Sequence, residues 1–319
     1  MKIKSKVKKE RSETLKQAKK RLVNTGIEID LPEVYDELEG RSVTTIEKIL
    51  KPHEKAFRLW KILVADPEVR ANWDMADYIA VTKLHFNDHG EIHAKVTAAS
   101  ALSMLDLLVK SGVKPEVVAS GAGDMDDAYL VVMAGALCHD FGNQIHRENH
   151  AGMSAYLALP ILNRLLPKIY KEVEHWVELR GFILSAINSH DGEPEPLTLE
   201  AGLVCVADAC DMTKGRGRMA FDLGNINIHT VSALSIDDVY ISKGEDKAIS
   251  IIVKMSNSAG VFQVQETLGN KIREASMVPY IDLVATTLPV RSDKDKRIIF
   301  SIKMEGQSFK PLGVRKTKK

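Results

Sequence analysis

Apolar residues recur at helical spacing along the first two thirds of the chain, and this periodicity is lost after about Gly224. Ile92, Val96, Ala99 and Leu102, for example, fall on one face of a single predicted helix. Further segments with helical character are 53–63, 151–166, 170–188 and 200–212. The pattern therefore predicts a mainly α protein up to the neighbourhood of Gly224.

Two of the predicted helices carry additional signals. Asp88 and Glu91 have the spacing of a capping box, which predicts that a helix begins there. The segment 126–138 is apolar nearly all round, a pattern typical of a helix that is buried on every side. Because this second helix ends directly before His139 and Asp140, both side chains are expected at the edge of the core.

The last third of the chain is richer in β-branched residues and predicts a small α+β unit. Predicted strands are 239–241, 249–253, 281–285 and 297–304, with a helix at 267–275. The predicted organisation is an N-terminal helical region with a basic arm (1–75), a helical domain (76–224) and an α+β domain (225–319).

The net charge of +1 is unevenly distributed. Residues 1–21 carry eight Lys and two Arg against two Glu, and the segment 315–319 is basic again. Basic ends fit a nucleic-acid partner or a solvated arm. The solvated arm is favoured, because a basic run within the body of the chain is confined to 214–218.

Cysteine usage and hydropathy point to a cytoplasmic protein without a membrane span. The three cysteines, Cys138, Cys205 and Cys210, form no CxxC pair and are expected to be small core residues in a reducing compartment. The apolar run 129–138 is far too short to cross a bilayer. The N-terminus is Lys-rich and lacks the apolar stretch of a signal peptide.

Histidines beside acidic or small residues carry the chemical signal. Eight of the ten histidines fall between His85 and His190. Most of them stand in the motifs NDHGEIH (87–93), CHDFG (138–142), HRENH (146–150) and SHDG (189–192). The acidic motif ADACD (207–211) comes after these four. Imidazole and carboxylate together suit Fe, Mn, Zn or similar divalent ions, which need ligands from several elements. Each motif alone equally fits a structural histidine, so the inference depends on the set.

The order of these motifs resembles the HD superfamily of metal-dependent phosphohydrolases over roughly residues 85–215. The family pattern is a His, then His-Asp, then further His, then a distant Asp, on a helical bundle with, here, an α+β extension. The resemblance implies two sets of ligands that share Asp140: His93, His139 and Asp208 for one ion, and His150 and His190 for a second. His89 is the alternative first ligand, because the residue four positions after His93 is Thr97 rather than a valine.

The resemblance also implies an activity. The expected function is hydrolysis of a phosphomonoester or phosphodiester, nucleotide-type, by a water that two divalent ions (Fe, Mn, Ni, Zn or Mg) activate. Expected roles beyond the ligands are proton donation, phosphate binding and orientation of a ligand imidazole. The candidates are His146 and His89 for the proton, Arg147, Lys214, Arg216 and Arg218 for phosphate, and Glu91 or Asp211 for orientation.

Two alternatives stay open at the level of sequence. A di-iron centre on the same scaffold could activate dioxygen instead of water. The histidine cluster could also serve a non-catalytic sensor of a nucleotide or metal, with the basic ends contacting nucleic acid. The expected partners are a small phosphorylated substrate, nucleotide-type, and a second copy of the chain in a homodimer.

Overall fold

The structure is a computed structural model. It describes the backbone of residues 17–21, 28–216, 220, 227–287, 301–306 and 308–311, and the side chains of 37–216, 220, 227–287 and 303–306. The basic segments 1–16 and 315–319, Arg218, and residues 222–226 of the predicted domain boundary lie outside the described residues.

Helices make up the first part of the chain, as the periodicity predicted. They are α1 (Glu33–Leu50), α2 (Glu54–Ala65), α3 (Pro67–Asp77), α4 (Glu91–Lys110), α5 (Glu116–Ala119), α6 (Met125–Cys138), α7 (His150–Leu165), α8 (Val173–Asn188) and α9 (Leu199–Cys210). A π-helical turn, Tyr78–Lys83, continues α3.

Helix α6 is the centre of the bundle. Every residue from Asp127 to Cys138 is buried, and the helix packs against α2, α4, α8 and α9. At Gly135 a side chain would begin only 3.1 Å from the Cβ of Ala186, so α6 and α8 approach closely there. Burial on all sides confirms the prediction from its apolar sequence, and it carries the residues that follow Cys138 into the protein interior.

The start of α4 differs from the capping box that the sequence predicted. Gly90 is the N-cap residue and has no side chain to cap with. The Asp88 carboxylate instead accepts a hydrogen bond from the backbone N–H of His93 at 2.9 Å. Glu91 forms an ion pair with Lys95 at 2.6 Å rather than bonding back to the cap. The acidic pair therefore marks the helix start by a different set of bonds.

Helix α4 is long and apolar enough to cross a membrane when only length and composition are considered. In the structure 72% of its most apolar window is buried inside the protein, as expected for the core helix of a soluble protein. The sequence patterning singled out the run in α6 instead. In α4, apolar residues such as Leu102 and Leu105 face neighbouring helices.

The C-terminal unit is a mixed sheet of strands β3 (Ile236–Lys243), β4 (Ile249–Met255), β5 (Ile281–Thr287), β6 (Ser301–Glu305) and β7 (Ser308–Pro311) in that order. Strands β4 and β5 are parallel, and the other neighbours are antiparallel. Alternate residues of β4 are buried, so one face of the sheet packs inward. Strands β3 and β4 contact α4, which joins this unit to the bundle.

The crossover between β4 and β5 differs from the single helix predicted at 267–275. It contains α11 (Gly260–Gln263), a π-helical turn (Val264–Gly269) and α12 (Asn270–Glu274). Before the sheet lies a short helix, α10 (Ile228–Ala233). Helix α12 contacts α9 of the bundle, so the crossover reaches toward the histidine motifs.

The N-terminal region is not helical throughout. Strands β1 (Gln17–Arg21) and β2 (Glu28–Pro32) form an antiparallel pair before α1. Residues 1–75 were predicted to be a helical region, and the strand pair was missed because five-residue segments are too short for a period to be recognised.

The three cysteines are buried and free, which confirms them as small core residues. Burial raises the pKa of the thiols of Cys138, Cys205 and Cys210. A reactive thiol needs the opposite shift, so none of the three suits nucleophilic chemistry.

Candidate metal centre

The His139-Asp140 pair stands where the central helix ends. His139 is the C-cap residue of α6 and Asp140 follows it. Both are buried, with 0% and 4% of their surfaces exposed. Since a buried carboxylate and imidazole require compensation, the surroundings of this pair show what the site can bind.

Four imidazoles are buried at this site, and a hydrogen bond at Nδ1 fixes the orientation of each ring. The Nδ1 atoms of His139, His150 and His190 each lie at hydrogen-bond distance from a backbone carbonyl, at 2.7, 3.0 and 2.7 Å. The Nδ1 of His93 lies 2.7 Å from a carboxylate oxygen of Asp211. A ring whose proton lies on Nδ1 presents an unprotonated Nε2 to the interior, where it can bind a cation.

These Nε2 atoms meet in two pairs. His93 and His139 approach to 3.1 Å, and His150 and His190 approach to 3.0 Å. Two unprotonated nitrogens at this distance repel each other unless a proton or a cation lies between them. The paired lone pairs therefore fit a pocket for cations.

Asp140 lies between the two pairs. Its Oδ2 is 3.3 Å from the Nε2 of both His93 and His139. Its Oδ1 is 3.5 and 3.6 Å from the Nε2 of His150 and His190. One carboxylate thus offers one oxygen to each histidine pair, which is the arrangement of a bridging ligand.

Asp208, on α9, places a second carboxylate beside the His93–His139 pair. Its Oδ1 lies 3.0 Å from the His93 Nε2 and 3.7 Å from the His139 Nε2. Ligand atoms of three groups lie within 4.8 Å of one another: His93 with His139 and Asp140, His139 with His190 and Asp208, and Asp140 with His150 and His190. The structure thus brings together all six residues that the resemblance implied as ligands.

The residues present fit divalent cations. The donor set is four imidazole nitrogens and two carboxylates, which suits Fe, Mn, Zn or Ni. Among the described residues, the buried Oδ2 of Asp140 has no hydrogen-bond donor, as expected of an oxygen that serves a cation.

The electrostatics keep both carboxylates ionised. Burial raises the pKa of Asp140, but the charge of His139 and its other imidazole neighbours outweighs it and holds the pKa well below its usual range. Burial also raises the pKa of Asp208, but the charge of the Lys271 ammonium outweighs burial and holds this pKa well below its usual range. Burial lowers the pKa of His150 to about 4, so this ring is neutral and free to bind a cation at neutral pH.

Lys271 is a residue of this centre that the sequence analysis missed. It lies on α12 and is 8% exposed. Its Nζ contacts Asp208 Oδ2 at 2.6 Å, the His190 carbonyl at 2.9 Å and Asp191 Oδ1 at 3.5 Å. The sequence holds no local signal for it, because a lysine in an amphipathic helix has the pattern of a solvated residue.

Two predicted residues do not reach the centre. His146 is exposed, and its Nδ1 accepts a hydrogen bond from the Glu148 backbone. His146 lies outside α7, which begins only at His150, after Asn149 in a left-handed conformation. Lys214 is exposed and paired with Asp237 at 2.7 Å, away from the ligands.

The other predicted residues surround the centre. His89 and Arg147 line the cavity beside it. Arg216 lines it as well, and its guanidinium donates to the backbone carbonyls of Asp88 and Asp211. Of the two candidates for orienting an imidazole, Asp211 holds His93, whereas Glu91 pairs with Lys95.

We expect replacement of Asp211 with asparagine to weaken metal binding by about 10- to 100-fold, because the His93 ring loses the carboxylate that fixes its orientation and raises its basicity. Calorimetric titration of metal-depleted protein with Mn²⁺ measures this change. Asp237→Asn, which removes a surface carboxylate, is the control and should bind as the unaltered protein does. Equal affinity of both variants would contradict the assigned role of Asp211.

A cavity of about 440 Å³ opens beside the ligands. Asp140, Asp208, Arg147 and Lys271 line it. Five polar residues of the C-terminal unit line it as well: Asn227, His229, Thr230, Gln263 and Thr267. The two units therefore share one pocket, which is large enough for a small organic ligand.

Comparison with known proteins agrees with the geometry. A family model described as HD domain matches residues 102–213, a span that includes five of the six ligands but not His93. An uncharacterized protein of Methanocaldococcus jannaschii is 41% identical over 240 residues, which are 75% of this chain and 90% of that relative. The search of solved structures returned no match.

Proposed function

This chain belongs to the HD domain family, and from that membership we propose that it is a metal-dependent phosphohydrolase that cleaves a phosphomonoester or phosphodiester, with a nucleotide-type substrate. The observation that supports the proposal most is the placement of Asp140 between two pairs of imidazole Nε2 atoms. A di-metal centre of this kind suits phosphate ester hydrolysis.

The six candidate ligands divide into two sets, one for each ion. His93, His139 and Asp208 would hold one ion, His150 and His190 the other, and Asp140 would contact both. Bound divalent cations lower the pKa of a water and stabilise charge on phosphate oxygens. In the overall reaction a water oxygen bonds to phosphorus, the bond to the leaving oxygen breaks, and that oxygen departs with a proton.

Arg147 is the residue best placed to bind phosphate. Its guanidinium donates to the Nε2 of His150 at 3.1 Å and lies 3.9 Å from Asp191 Oδ1. A His150 lone pair that binds a cation can no longer accept that bond. Metal loading would therefore release Arg147 toward the cavity, where a guanidinium matches phosphate oxygens.

His89 has the properties of a hydrogen-bond acceptor rather than the proton donor that the sequence suggested. Burial lowers the pKa of its imidazole well below the usual value, so the ring is neutral at pH 7. Its Nδ1 lies 2.7 Å from the Asn87 carbonyl, so the single ring proton lies on Nδ1 and is donated to that carbonyl in a hydrogen bond. The remaining nitrogen would accept a bond from water or substrate in the cavity.

The experiment is hydrolysis by metal-depleted protein reloaded separately with Mn²⁺, Fe²⁺, Ni²⁺ or Mg²⁺. We expect release of nitrophenol from p-nitrophenyl phosphate or bis(p-nitrophenyl) phosphate with at least one metal, and its loss on chelation. Full turnover by metal-free protein, or inactivity on all phosphate esters with every metal, would contradict the proposal.

A further inference from the structure

The C-terminal unit contributes a set of polar residues to the lining of the cavity. Five of them are called here the C-terminal wall: Asn227, His229, Thr230, Gln263 and Thr267. All five side chains are hydrogen-bonding groups, and none carries a fixed charge. The apolar residues that also line the cavity are Phe86, Ala209, Met212, Ala220 and Ala233.

The C-terminal wall is ordered by its own hydrogen bonds. The Gln263 amide donates to the His229 carbonyl at 3.1 Å, and the Thr267 hydroxyl donates to the Gln263 side-chain oxygen at 2.7 Å. The His229 ring packs edge-on against Phe262 at 5.1 Å between centroids. The wall thus presents fixed oxygen and nitrogen atoms to a ligand, which suits recognition of hydroxyl and amide groups.

The charge around the cavity limits the number of phosphates. Three contacts already engage the Lys271 ammonium, and two backbone carbonyls engage the buried Arg216. Three cationic side chains line the cavity: Arg147, Arg216 and Lys271. Arg147 is the least firmly held of them, since a metal ion at His150 would compete with its hydrogen bond to that ring. Four carboxylates also line the cavity, and they would repel phosphates beyond the one at the metals: Asp140, Asp191, Asp208 and Asp211.

We propose that the C-terminal wall is the leaving-group site, and that the substrate is a monophosphate ester of an uncharged, hydrogen-bonding alcohol of about nucleoside size. This inference rests on the proposed hydrolytic function and adds its substrate class. The single phosphate lies at the metals with Arg147, and the alcohol lies against Gln263, Thr267 and His229. Hydrolysis releases that alcohol and inorganic phosphate. A nucleoside or a sugar is an alcohol of this kind. The negative charges of a polyphosphate chain would not be neutralised by the cations that line this cavity.

The test compares kcat/KM of the metal-loaded full chain for adenosine 5′-monophosphate, adenosine 5′-triphosphate, glucose 6-phosphate and methyl phosphate. We expect one of the two larger monophosphates to exceed both the triphosphate and methyl phosphate by about tenfold or more. Which of the two is preferred identifies the alcohol as nucleoside or sugar. A triphosphate turned over as well as the best monophosphate would overturn the inference.

Two near-isosteric variants, Gln263→Met and Thr267→Val, test the wall itself. Each removes a hydrogen-bonding group, so the preference for the larger monophosphate over methyl phosphate should fall roughly tenfold. Gln265→Met is the matched control, because Gln265 lies on the π-helical turn that follows Gln263 and contains Thr267, but is exposed and is not among the residues that line the cavity. The control should keep the full preference.

The outcomes separate the two proposals. If methyl and nitrophenyl phosphates are hydrolysed but the wall variants and Gln265→Met show the same preference, the leaving-group site is wrong and the hydrolytic function stands. If no phosphate ester is hydrolysed by metal-loaded protein, both proposals fail.

Discussion

Asp140→Asn will remove nearly all metal-dependent hydrolysis, with a fall in kcat of roughly 10³-fold or more. The substitution keeps the shape of the side chain and removes the charge that both histidine pairs face at 3.3–3.6 Å. An amide offers one oxygen where the carboxylate offers two, so it cannot serve both pairs. Metal content, measured by elemental analysis, should fall together with turnover.

The control for this prediction is Asp237→Asn, a conservative change at a carboxylate that pairs with exposed Lys214. It should keep both metal content and turnover. An Asp140→Asn protein that is folded, judged by its circular dichroism, and still retains full activity would contradict the bridging role.

Gly142→Ala will lower the free energy of unfolding by more than about 3 kcal/mol and disturb the histidine pair at α7. A Cβ at residue 142 would lie 2.0 Å from the carbonyl oxygen of His150 and 2.7 Å from the backbone nitrogen of Ser154. Both are backbone atoms near the start of α7 and cannot move aside as a side chain would. The helix start that carries His150 must therefore shift.

The matched control is Gly181→Ala, in the exposed middle of α8. A Cβ there has no heavy atom within 4 Å among its described surroundings, and alanine favours the helix, so the free energy of unfolding should rise by about 0.5–1 kcal/mol. Chemical denaturation of both variants gives the comparison. Wild-type stability in Gly142→Ala would show that the close packing between the 3₁₀ turn Phe141–Gln144 and α7 is wrong.

The cluster of candidate ligands was predictable because most of its members have a local signal. His139 and Asp140 follow an apolar run, and that run is the helix at the centre of the bundle. His93 and Asp208 lie within helices that the periodicity located. The family resemblance supplied the order in which these pieces meet, and the bundle places them together.

The residues around the ligands were harder to predict, because their positions depend on long-range packing. His146 and Lys214 are near ligands in the sequence but point elsewhere, since a loop or a short helix can turn a side chain away within a few residues. Lys271 reaches Asp208 from 63 positions further along the chain, through the packing of α12 against α9. Proximity in sequence therefore predicted the ligands' neighbours poorly.

A crystal structure of the metal-loaded protein, with anomalous scattering recorded at the absorption edge of the bound metal, shows whether the two histidine pairs and Asp140 form one centre for two cations. We expect two anomalous peaks, one among His93, His139 and Asp208 and the other between His150 and His190, with Asp140 contacting both. Absence of anomalous density among these residues in protein that binds the metal elsewhere would contradict it.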